Sequence, residues 1–74
     1  MSSDLTKSVR LAKQLPPRQR QVLRQLGECR SRREIADDLK ISEHTVNTHC
    51  RILYARLGIQ TLSEAVRIAG LVRI

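Results

Sequence analysis

Residues 31–58 read SRREIADDLKISEHTVNTHCRILYARLG, and their punctuation decides the fold. Ser31-Arg32-Arg33-Glu34 is a capping box, in which the serine oxygen can accept an orphan backbone N–H while Glu34 reaches back. It predicts a short helix through Leu39, with Ile35, Ala36 and Leu39 on its apolar side and Asp37 and Asp38 left to solvent. Lys40-Ile41 is a tight connection, and Ser42 is a strong N-cap for the next helix. Along residues 43–57, Val46, Cys50, Leu53 and Leu57 fall within about 60° of arc at about 100° per residue, so one stripe faces inward. Gly58 follows, where helices often end in a left-handed residue.

The flanks read as helices too. Residues 4–14 could form a short first helix with Ser3 as its cap and Leu5, Val9 and Ala12 on one side. Pro16-Pro17 ends that segment and suits the first turn of a second, running to about Glu28 with Val22, Leu23 and Leu26 inward. Thr61-Leu62-Ser63-Glu64 is another capping box, opening a last helix that carries Leu62, Ala65, Val66 and Ala69 on one side and closes near Gly70. Strand-like alternation is scarce, so the fold class is all-α: four helices over residues 15–74, preceded by an N-terminal arm or short extra helix over 1–14.

Seventy-four residues make one small domain with a thin core, too little for a sheltered catalytic cleft. Fourteen Lys and Arg against seven Asp and Glu give a net charge of +7, spread along the chain rather than gathered in a tail. A compact basic domain points to a polyanion, most often nucleic acid. Tyr54 is the sole aromatic, which argues against binding single strands by base stacking. No apolar run approaches the roughly 20 residues of a membrane span, and residues 1–4 lack the start of a signal peptide. Cys29 and Cys50 have no metal-binding spacing and are expected as reduced thiols in a bacterial cytoplasm. His44 and His49 point about 140° apart on a helix and cannot share a metal. Without a nucleophile–base pair or a phosphate loop, the expectation is binding rather than catalysis, with no cofactor and no metal.

Two helices joined by about three residues have the spacing of a helix-turn-helix, whose second helix enters the DNA major groove. Opposite the apolar stripe of helix 43–57 lie His44, Thr48, Arg51 and Ala55, with Asn47 and Ile52 on the flanks. Arg51 can pair with guanine, Asn47 with adenine, and the Thr48 methyl with thymine, so the base readers expected are His44, Asn47, Thr48 and Arg51. An ordinary polar helix face fits the wheel equally well. Context favours reading: Arg30, Arg32 and Arg33 crowd the start of the preceding helix, where the dipole favours an anion and the side chains can clamp phosphates.

The stretches LPPRQRQVL (15–23), EIADDLKISEHTVNTH (34–49) and RLGI (56–59) resemble the LuxR-type (GerE/FixJ/NarL) helix-turn-helix domain over about residues 15–71. The resemblance implies major-groove contacts at the positions of Asn47, Thr48 and Arg51, and a stand-alone GerE-like form. It places His49 at the edge of the core, supporting the turn or touching phosphate; a satisfied boundary histidine fits as well. The phosphate-binding set expected is Arg30, Ser31, Arg32, Arg33, Thr45, His49 and Arg56. There are departures from the family pattern. Its Thr-Pro-Arg-Glu opening is Pro16-Pro17-Arg18-Gln19 here, a glycine before the capping box is Cys29, an asparagine of the long helix is Ile52, and a basic residue is Asn47. The first two bear on local stability, the last on operator preference. The LPPRQR start also resembles sigma factor region 4, but the apolar fourth helix after RLGI favours the LuxR type.

A globule of this length has a width of about 30 Å, short of two half-sites roughly 34–36 Å apart, so a homodimer is expected on double-stranded DNA. Its seam is assigned to the last helix, through Ile68, Leu71, Val72 and Ile74; packing of these residues on segment 5–14 is the alternative. RNA polymerase or a larger regulator are further candidate partners. A different role also stays open, as a small interaction module that pairs with a larger LuxR-type regulator. No receiver or ligand-sensing sequence is present, which fits either a regulator controlled by its amount or a piece of a longer chain.

Overall fold

The structure, a computed structural model, describes residues 4–72. Five helices follow in order: α1 (Asp4–Ala12), α2 (Pro17–Gly27), α3 (Arg32–Leu39), α4 (Glu43–Leu57) and α5 (Leu62–Val72), with no strand among the described residues. Ser3, Ile74 and the side chain of Leu5 lie outside the described part. Helices α3 and α4 occupy the spans expected from their caps. Helix α1 stops short of Gln14, and a turn delivers Leu15 into the core at 4 % exposure. Pro16 caps α2 without any side-chain hydrogen bond, as the missing threonine implies. Helix α5 runs through Gly70 to Val72 instead of closing there. An interior glycine weakens a helix by only about 1 kcal/mol and does not by itself stop one.

Val22, Leu23, Ile35, Val46, Leu53, Ala65 and Ile68 are wholly buried and form one continuous core. The apolar stripe of α4 contributes Val46, Cys50, Leu53 and Leu57, as its periodicity predicts. The tightest approach joins α2 to α5: a Cβ added at Gly27 would lie 2.5 Å from that of Ala69, so only glycine permits this spacing. Helix α1 packs on α4 and α5. Its Ser8 is buried and donates a 2.8 Å hydrogen bond to the Leu57 carbonyl, satisfying one orphan acceptor at the end of α4.

Two expectations about faces are corrected. Ile68 is 0 % exposed and belongs to the core between α5 and its neighbours, so it cannot form a dimer seam. Leu62, expected inward, is 51 % exposed, while Ile59 in the preceding link is buried. Asp38 is exposed but not idle: it accepts a 2.9 Å hydrogen bond from the buried Gln25 amide, tying α3 to α2. The long axis of 37 Å exceeds the expected width of about 30 Å. Length alone therefore does not exclude one copy from spanning a helical turn.

Helices α2, α3 and α4 all end in one motif. The backbone N–H groups of Arg30, Ile41 and Ile59 reach back to the carbonyls of Gln25, Ala36 and Tyr54 at 3.1, 3.0 and 3.0 Å. Each bond closes over a left-handed residue: Cys29 (φ 63°), Lys40 (φ 58°) and Gly58 (φ 70°). This is the Schellman arrangement, which favours glycine at the left-handed position. At Cys29 and Lys40 the side chain costs about 1–2 kcal/mol. Glycine would relieve that strain while adding about 0.4–1 kcal/mol of unfolded-state entropy cost. Cys29→Gly is therefore expected to stabilise the domain by about 0.5–1 kcal/mol, raising the midpoint of thermal melting by a few degrees. A lowered midpoint would mean that the exposed Cys29 side chain contributes contacts outweighing its backbone strain.

Candidate nucleic-acid interface

The turn between α3 and α4 is built from local chemistry. Ser31 Oγ accepts the Glu34 N–H at 3.0 Å, and Glu34 Oε1 accepts the Ser31 N–H at 2.8 Å. That backbone donor is the main reason the Glu34 carboxyl is held below the usual carboxylate range. The carboxylate thus occupies part of the anion-favouring niche expected at the start of α3. Arg32 and Arg33 are exposed there. Arg30 stands 3.6 Å from a Glu28 carboxylate oxygen, the single ion pair among the described residues. Both partners are about half exposed, so water screens the pair and it holds Arg30 weakly.

Ser42 Oγ caps α4 by accepting the Thr45 N–H at 3.0 Å, and the two hydroxyls lie 2.9 Å apart. Thr45 is half-buried, its hydroxyl shared with the cap. His44, Asn47 and Arg51 are exposed, and Thr48 is half-buried. The Thr48 hydroxyl donates to the His44 carbonyl at 3.1 Å, which leaves its methyl and the hydroxyl's lone pairs available to a partner. Ala55 and Ile52 complete the outer face, the latter 38 % exposed. His49 is half-buried, and its Nδ1 is enclosed without a hydrogen-bond partner among the described residues.

Three of the expected contact residues converge. Arg32, Asn47 and Arg51 line an open groove of about 290 Å³ whose other walls are Cys50 and Tyr54. Arg32 Nη1 donates to Asn47 Oδ1 at 3.0 Å across the turn. Burial pushes the Cys50 thiol and the Tyr54 phenol upward in pKa, so both remain protonated and the groove takes its charge from the two arginines. Arg56 is exposed but stands apart: with Lys7, Ser8 and Leu11 of α1 it lines a separate depression of about 370 Å³ at the C-terminal end of α4. Lys7 is a cation that sequence reasoning missed, because its nearness to Arg56 depends on how α1 packs. Leu71 is 57 % exposed, and Val72 is half-buried against the core. No helix among the described residues is long and apolar enough to cross a membrane, and no three metal-ligating side chains gather there.

The profile of the family described as "GerE: Bacterial regulatory proteins, luxR family" matches residues 13–69. A protein of Streptomyces halstedii described as "Probable HTH-type transcriptional regulator GfsR" is 33 % identical over 52 residues, covering 70 % of this chain. The aligned segment is 21 % of that protein's length, so the chain corresponds to about a fifth of it. No solved structure matches the chain.

Proposed function

The chain belongs to the luxR family of bacterial regulatory proteins, and on that premise we propose that it is a sequence-specific regulator binding double-stranded DNA through the outer face of α4. The observation that carries the reading is the groove of Arg32, Asn47 and Arg51, where two fixed positive charges flank a side-chain amide on an exposed helix. Arg51 and Asn47 meet base edges, with His44 and the Thr48 methyl beside them. Arg30, Arg33 and Arg56 meet phosphates, which fix register without reading sequence, while Ser31, Thr45 and His49 border the same backbone path. The reaction is binding, without a chemical step. The family profile, extending through most of α5, separates this reading from a sigma factor region 4.

One chain presents one such helix, so two copies supply the two half-sites. Their seam involves Leu71 with Val72 beside it, the exposed end of α5, and no longer Ile68. A bacterial cytoplasm, where DNA and RNA polymerase are both present, is the matching location.

Selection of bound sequences from a random duplex pool tests the reading, since it returns motif, symmetry and half-site spacing together. On the selected site, Arg51→Ala should weaken binding by about 1–3 kcal/mol, roughly 5- to 150-fold, and relax preference at one base pair. Equal weakening on random duplex would reduce Arg51 to a phosphate contact. A pool that returns no motif, with the chain held only by a larger regulator, would favour the interaction-module role.

A further inference from the structure

We propose that Arg32 is a specificity-determining residue: by holding the Asn47 amide oxygen, it makes the α3–α4 groove a donor-only surface that selects guanine or thymine edges over adenine. The inference rests on the reading of α4 as the DNA-recognition helix.

A guanidinium can only donate, so the atom of Asn47 that faces Arg32 at 3.0 Å must be the amide oxygen. That assignment fixes the orientation of the whole amide. Its oxygen is turned toward α3, and its NH2 is turned away from Arg32. A free asparagine reads adenine bidentately, accepting from N6 and donating to N7. Here the accepting half is already engaged by a charged donor, and hydrogen bonds to charged groups are shorter and stronger than neutral ones. With one of the oxygen's two lone pairs taken and the oxygen turned toward α3, Asn47 presents chiefly its donating half.

The neighbouring groups point to the same preference. Arg51 on the groove wall offers only donors, and so do the remaining N–H groups of Arg32. The Cys50 side chain is buried and the Tyr54 hydroxyl is enclosed, so neither wall group turns an acceptor toward a bound base. Guanine presents two acceptors in the major groove and thymine one, whereas cytosine presents a donor and adenine a donor beside its acceptor. A donor-only groove therefore matches guanine best, thymine next, and opposes cytosine.

The contact between Arg32 and Asn47 can be removed with little effect on the core, since both side chains are exposed and Arg32→Met keeps an unbranched stem. Random-duplex selection would be run on the unaltered chain, Arg32→Met, Asn47→Ala and the double variant, with melting midpoints confirming that each is folded. Asn47→Ala identifies the base pair that depends on residue 47. At that pair the unaltered chain should prefer guanine or thymine, and Arg32→Met should shift preference toward adenine by at least about fivefold. The shift should vanish in the double variant, which a phosphate contact or a purely structural role for Arg32 would not produce. Adenine preference in the unaltered chain, an unchanged preference in Arg32→Met, or no base pair sensitive to Asn47→Ala would each overturn the inference while leaving DNA recognition intact. A pool without any motif would overturn the recognition reading, and this inference with it.

Discussion

Raising monovalent salt from 50 to 200 mM is expected to weaken duplex binding by about 10⁴- to 10⁵-fold. Each phosphate neutralised by a protein cation releases condensed counterions, and log K falls with log salt at a slope of roughly −0.9 per contact. Arg30, Arg33 and Arg56, assigned to the backbone, and Arg32, which holds Asn47 on the same face and adds its charge there, are four exposed arginines in each copy. Two copies offer about eight such contacts, and Lys7 beside Arg56 can raise the total to about ten, giving a slope of about −7 to −9. One copy alone would give a slope of only about −3.6 to −4.5. The measurement therefore reports stoichiometry as well as electrostatics. Titrating a selected duplex by fluorescence anisotropy at several salt concentrations is sufficient. A slope shallower than about −3 would remove the electrostatic basis of the proposed function, whatever the sequence preference.

How much of this was legible in the sequence follows from the range of the forces involved. The caps at Ser31, Ser42 and Thr61 are contacts between residues three apart; those at Ser31 and Thr61 were readable with their glutamate partners, and Ser42 as a cap alone. The left-handed end of α4 was readable because Gly58 announces it. The same turn at Lys40 was not, since no glycine marks it, and at Cys29 only the departure from the family's glycine pointed to it. The wheel placed Arg51 and His44 outward correctly, because helix phase needs no knowledge of neighbours. It could not show that Ile68 would be covered, because its apolar surroundings come from elements remote in sequence. Nor could it show that Arg32 reaches Asn47, fifteen residues away, because that distance depends on the crossing of α3 over α4. The individual contact candidates were visible one by one; their mutual hydrogen bonding required the fold.

Leu53→Ala is expected to remove a large share of the domain's stability without touching a contact residue. Leu53 is 0 % exposed at the centre of the α4 stripe, facing opposite to the proposed readers. Truncating a buried leucine costs about 2–5 kcal/mol, because transfer energy is lost and a cavity remains. At about 0.05–0.15 kcal/mol per residue, a domain of 74 residues has only about 4–11 kcal/mol in total. The melting midpoint should fall by about 8–40 °C, so a large share of the variant is unfolded at growth temperature. Its apparent affinity for duplex would drop for that reason alone. Arg51→Ala supplies the contrast, since it should lose affinity with its midpoint nearly unchanged. Saturating duplex at about 100 times Kd adds about 2.7 kcal/mol to whichever state binds it. Leu53→Ala should therefore regain much of its midpoint when a selected duplex is added, because its reading face is intact once folded. Failure of the duplex to restore that midpoint, with the unaltered chain stabilised normally, would mean that packing beneath α4 sets the geometry of the reading face as well as its stability.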